Sequence, residues 1–82
     1  GVNKKLIGFE MLEKAIPRKG YTIYSFDKRK IGIVTSGTMS PSLKKGIGLG
    51  YVKTNFSNLH TKIFIEIRGK MKQSVIVNTP FK

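Results

Sequence analysis

Lys62-Ile63-Phe64-Ile65-Glu66-Ile67, Arg68-Gly69-Lys70 and Met71-Lys72-Gln73-Ser74-Val75-Ile76-Val77-Asn78 follow one another without a break, and their reading decides the fold. Ile63, Ile65 and Ile67 share one face, opposite Phe64, Glu66 and Arg68. A period of two is the signature of a strand with one buried side. Gly69 offers the positive φ that a tight reversal needs. Val75 and Val77 then alternate with Ser74, Ile76 and Asn78, which predicts a returning strand that buries its valines. A hairpin results.

The same period runs through the rest of the chain. Leu6–Glu10, Tyr21–Phe26, Lys30–Ser36 and Ile47–Lys53 read as strands, joining Lys62–Ile67 and Lys72–Asn78 to make six. In the third, Ile31 and Ile33 are expected on one face, leading to Thr35. Asp27-Lys28-Arg29 is a polar hairpin tip. Ile16-Pro17, Ser40-Pro41 and Thr79-Pro80 mark strand boundaries, because the residue before a proline is pushed towards extended geometry. Between the third and fourth strands a helical turn is expected, with Ser40 as cap, Pro41 at the first position and Gly46 ending it. Short strands leave edges, and closure into a barrel removes them. The predicted fold is all-β, a small closed six-stranded barrel.

Composition limits the function. Leu, Ile, Val and Phe make up 25 of 82 residues, or 30%; disordered chains fall below about 20%. One domain, residues 1–82, is expected, and the opening at Gly1 in place of Met suggests a piece of something longer. Without cysteine there is no disulfide framework or thiolate site, and the expected compartment is cytoplasmic. One His and four carboxylates do not make a recognisable metal ligand set, so no metal is expected. No apolar run approaches the roughly 18 residues of a membrane helix, and none reads as a leader. Sixteen Lys and Arg give a net charge of +12, which calls for an anionic partner or a solvated basic surface.

The chemistry-bearing residues do not assemble into a catalytic set. Gly46, Gly48 and Gly50 lack the spacing of a dinucleotide or phosphate loop. On a strand they share a face, opposite Ile47, Leu49 and Tyr51, which suggests a barrel bend or the close approach of another backbone. His60 lies in the polar turn Ser57-Asn58-Leu59-His60-Thr61 and reads as solvated. Glu10, Glu13 and Glu66 are expected to pair with some of the sixteen cations. The turn at Ser40-Pro41-Ser42 could meet an anion. Lys28-Arg29-Lys30, Lys44-Lys45, Lys70 and Lys72, with Tyr21, Tyr24, Tyr51, Phe26, Phe56 and Phe64, could bind single-stranded nucleic acid on a stand-alone barrel. No residue stands out as catalytic.

Longer stretches resemble one family. Leu6-Ile7-Gly8-Phe9-Glu10-Met11, Ile16-Pro17-Arg18-Lys19-Gly20-Tyr21, the run from Lys30 through Thr35-Ser36-Gly37 and Ser40-Pro41-Ser42-Leu43-Lys44-Lys45 to Val52, Ile65-Glu66-Ile67-Arg68-Gly69-Lys70, and Pro80-Phe81 resemble the C-terminal domain of the glycine cleavage system T-protein, an aminomethyltransferase. The resemblance implies a six-stranded Greek-key barrel like one in translation elongation factors. It also implies an enzyme that takes the aminomethyl group from the lipoyl arm of H-protein, releases ammonia and passes the one-carbon unit to tetrahydrofolate. The catalytic aspartate and most folate contacts of that family lie in larger preceding domains, so this chain alone is expected to be inactive. Asp27 does not match the catalytic aspartate's motif. Arg18 aligns with the arginine of the family's Pro-Arg or Met-Arg segment. It is the candidate cofactor-binding residue, with bracing of the domain packing as its first role. The implied partners are the catalytic domains and H-protein, with neither membrane nor nucleic acid. Similar barrels close folate-dependent demethylases and sarcosine- or dimethylglycine-oxidising enzymes, and the match around Thr35-Ser36-Gly37 and Ser40-Pro41 favours the glycine cleavage member.

Overall fold

Six strands succeed one another in the computed structural model, which describes residues 3–78. They are β1 (Lys4–Met11), β2 (Thr22–Ser25), β3 (Lys30–Ser40), β4 (Lys45–Lys53), β5 (Lys62–Ile67) and β6 (Lys70–Val77), with a 3-10 turn at Thr54–Phe56. They close into a barrel in the order β1-β4-β3-β2-β5-β6. Every neighbouring pair is antiparallel. Hairpins join β2 to β3, β3 to β4 and β5 to β6. The long β1–β2 connection returns β1 to lie beside β4, which is Greek-key wiring. The Thr79-Pro80 boundary and the Pro80-Phe81 match lie outside the described residues.

The interior is filled by Ile7, Phe9 and Met11 of β1, Ile23 of β2, Ile31 and Val34 of β3, Val52 of β4, Ile63 and Ile65 of β5, and Ile76 of β6. Fully burying an aliphatic or phenyl side chain contributes roughly 1.5–3 kcal/mol, and every strand supplies at least one. The barrel is a packed core.

Three expectations need correction. Arg68 and Gly69 both have positive φ, 53° and 78°, the two-residue turn whose twist suits a hairpin. That turn sets Ile63 opposite Ser74. Directly paired residues share a face, so Ser74 and Ile76 point inward while Val75 and Val77 are half-buried on the outside. In β3, Ile31 is an extra residue between the positions paired with Ile23 and Tyr24, and Thr35 is extra between those paired with Gly50 and Leu49. The first bulge puts both Ile31 and Val34 in the core and leaves Ile33 47% exposed. The third correction concerns Ser40. Its hydroxyl does accept the N–H of Leu43 at 3.2 Å, as a cap would. Pro41–Lys44 nevertheless form a four-residue hairpin loop and no helix. Lys44 takes the left-handed conformation at φ 55°, and Gly46 lies inside β4.

Candidate functional site: a basic cleft beside Arg18

The glycines of β4 face the core, with Val52, because β4 is buried at every second residue from Gly46. A Cβ on Gly48 would stand 2.6 Å from Phe9 Cζ, and one on Gly50 would stand 2.7 Å from Ile23 Cδ1. The expected close approach is therefore real, but it comes from this chain's own interior. The faces of these glycines are buried inside the barrel and are not open to another polypeptide. At Gly46 the neighbours are the carbonyl oxygen of Ala15 and Cδ of Pro17, and at Gly37 the carbonyl oxygen of Pro17.

Those two contacts explain where Arg18 stands. Pro17 is fully buried, seated in the space that Gly37 and Gly46 leave. The β1–β2 connection is thereby pinned across one end of the barrel. Gly20, at φ 96°, turns the chain back into β2, and its N–H donates to the Val34 carbonyl at 2.8 Å. Arg18, next to the anchored proline, is left exposed at the rim.

Around it lie Lys14, Ala15, Ile16, Tyr21, Ile67, Arg68, Lys70 and Lys72, lining an open cleft of about 380 Å³. Five of these lining residues, with Arg18 included, are cations. Of these five, only Lys72 has a carboxylate partner among the described residues, Glu13, at 3.9 Å. The Glu13 carboxylate also accepts the N–H of Gln73 at 2.6 Å, which ties it to the middle of β6. Clustered like charge beside a low-dielectric wall raises the local concentration of anions. Sequence reasoning reached Arg18 through resemblance and noted Lys70 and Lys72. It missed Lys14 and Arg68, which the pinned connection and the tight turn bring to the same rim.

The other candidates disperse. Glu10 pairs with Lys45 at 3.3 Å, as expected of a carboxylate among cations. Glu66 differs from that expectation: its Oε1 accepts the phenol of Tyr24 at 3.1 Å. That hydrogen bond is the main reason the Tyr24 phenol titrates above its ordinary value, with desolvation and the carboxylate's charge adding to it. Asp27 lies in the β2–β3 turn, accepts the hydroxyl of Ser25 and pairs with Arg29 Nε at 2.8 Å. The Ser25 hydroxyl is the largest cause of its lowered pKa, opposed by desolvation and helped by Arg29. His60 is exposed in its turn, at φ 68°, with its N–H on the Ile76 carbonyl. The Ser40 hydroxyl is taken up by the loop's own Leu43 N–H, the donor an anion there would need. No group of three or more His, Asp and Glu among the described residues could hold a metal ion. Among those residues no helix is long and apolar enough to cross a membrane.

The aromatic residues are mostly engaged. Phe26 and Phe64 stack on each other with centroids 5.3 Å apart, and the Arg29 guanidinium lies over the Phe56 ring at the same distance. Tyr24 is tied to Glu66. A base-stacking platform needs free ring faces, and the Phe26–Phe64 stack and the Arg29 contact each occupy one face of the rings they involve.

Comparison with known proteins agrees with the architecture. The chain is 52% identical over 82 residues to an aminomethyltransferase of Phocaeicola vulgatus, covering all of this chain and 23% of that protein. It is 50% identical over the same length to an aminomethyltransferase of Bacteroides fragilis, and 44% identical over 81 residues to one of Bdellovibrio bacteriovorus. In the crystal structure of the glycine cleavage system aminomethyltransferase T from Bartonella henselae, the matching part superposes with a TM-score of 0.88 at 28% identity. It covers 98% of this chain and 22% of that one. The chain thus spans less than a quarter of the length of these relatives. A family model described as the glycine cleavage T-protein C-terminal barrel domain matches residues 4–82, and with the closed six-stranded barrel found here the chain belongs to that family.

Proposed function

We propose that this barrel is the closing domain of an aminomethyltransferase of the glycine cleavage system, acting in the cytoplasm. That enzyme moves the aminomethyl-derived one-carbon unit from the lipoyl arm of H-protein to tetrahydrofolate and releases ammonia. The observation that carries the reading is the family match over residues 4–82, joined to relatives named as aminomethyltransferases that are about four times longer. In this reading the barrel's own residues take no step in the chemistry. Its part is to pack on the catalytic domains and wall the folate cavity, where orientation and exclusion of water supply much of the rate. Arg18 is suited to this work by its anchored proline, as a brace at the rim and the candidate contact for an anionic cofactor.

The basic surface has a role in the same reading. H-protein of this family is typically acidic and polyglutamylated folate carries several carboxylates, so a +12 barrel speeds encounter with both. The experiment is removal of the barrel from the full-length polypeptide. Tetrahydrofolate-dependent ammonia release is lost if the barrel walls the cavity; full activity in the truncated enzyme removes the reading.

A further inference from the structure

We infer that the outward face of β1, β4 and β3 around Tyr51 is the seat of the polypeptide that precedes the barrel, and that this neighbour meets it with apolar side chains edged by carboxylates. The inference rests on the reading of the barrel as the end of a longer enzyme.

Because the β4 glycines point inward, Ile47, Leu49 and Tyr51 point outward. Tyr51 is directly opposite Leu6 on one side and Ile33 on the other. The three are 44%, 48% and 47% exposed, a continuous row of large apolar side chains across three strands. Single exposed apolar residues are ordinary, but a contiguous set rimmed by charge marks an interaction surface. Two positions further along β1 and β4, Lys4 is directly opposite Lys53. Both lie with Lys30 and Ile33 around one groove of about 380 Å³.

Like charges directly opposite each other in a sheet are destabilising. Nothing in the described barrel answers these three cations. Glu10 is with Lys45, Glu13 with Lys72, Asp27 with Arg29 and Glu66 with Tyr24. A neighbour with carboxylates at this edge would answer them. A second copy of the barrel would bring the same excess of positive charge. The tether also favours the preceding polypeptide. β1 begins at Lys4, and the carbonyl of Asn3 just before it accepts the N–H of Thr54 at 2.9 Å, at the basic edge of the row. The catalytic domains of a C-terminal barrel family therefore hang beside Leu6, at high effective concentration.

Hydroxyl-radical footprinting of the full-length polypeptide, dilute and without H-protein, tests this. Tyr51 and Leu6 should be modified several-fold more slowly than Phe26, which is 57% exposed in the β2–β3 turn. Tyr51→Asp with Leu6→Asp should free the barrel, seen as a larger radius in small-angle scattering. Lys4→Glu with Lys53→Glu, which leaves the apolar row intact, should raise Tyr51 modification towards that of Phe26. Tyr51 labelled as fast as Phe26 in the parent enzyme overturns the inference. So does protection that grows with protein concentration, which assigns the face to a second copy, or protection that needs added H-protein. Normal ammonia release with an unprotected Tyr51 removes the docking face alone. Protection without any folate-dependent activity removes the proposed function and leaves the face standing.

Discussion

Phe9 lies over Gly48, its Cζ 2.6 Å from the point where a Cβ on that glycine would stand, with the Ser36 carbonyl oxygen equally close on the other side. The phenyl ring occupies the barrel's interior because β4 presents hydrogen atoms where a strand ordinarily presents side chains. Gly48→Ala therefore has one flexible neighbour and one backbone neighbour to displace. Overpacking of this kind costs about 1–3 kcal/mol, and the upper half of that range is expected here. A urea titration reads it; an unchanged midpoint would mean that Phe9 has room to withdraw.

Ser74 is fully buried on the inner face of β6, and its hydroxyl donates to the Glu10 carbonyl at 2.8 Å, across the β1–β6 seam. Ser74→Ala removes that bond while changing little volume. The expected loss is about 1 kcal/mol, the usual net value of one such bond. Hydrogen exchange should show it first at the amides of the seam, between Gly8–Met11 and Ser74–Val77.

Tyr24 gives a pH signature. Its phenol donates to Glu66, so the protonated form is favoured in the fold and the pKa is raised from 10.0. A raised folded value means that the contribution is present below the unfolded pKa and is lost as pH rises through the folded one. Glu66→Gln should bring the phenolate absorbance transition of Tyr24 back towards 10.0. Stability should then differ between the two proteins in neutral solution and converge in strong base.

The cleft beside Arg18 predicts a dependence on ionic strength. Replacing Lys14, Arg68 and Lys70 together by Ala in the full-length enzyme should leave the barrel folded, since all three are surface residues. The KM for H-protein should rise at low salt, and its dependence on salt should flatten. At high salt, where exposed charges are screened within about 3–10 Å, the parent and variant should agree. A salt profile identical to the parent's would assign these cations to solvation alone.

Much of the fold is legible in the residues, and the failures have a common cause. Ile63 and Ile65 read correctly because no irregularity interrupts their strand. Ile33 reads as buried only until a bulge at Ile31 shifts the phase, and no residue at that point advertises an extra position. Val75 reads as interior because Val outranks Ser as a core residue; the turn at Arg68-Gly69 overrules that preference by fixing register. Gly46 reads as a helix end from its place after two lysines, when its role is to receive Pro17. Of the cleft, resemblance picks out Arg18. Lys14 and Arg68 belong to it only through tertiary placement, which period and spacing do not carry.

The seam between β1 and β6 has a consequence for synthesis. The first strand finds its partners only in the fourth and the last, so a nascent chain holds one side of β1 open until β6 has left the ribosome. A message cut short within Lys70–Val77 would release a sheet with an unsatisfied border of amides and carbonyls, which recruits other chains. Such truncated products should accumulate as aggregates, and an upstream catalytic body would be carried into them.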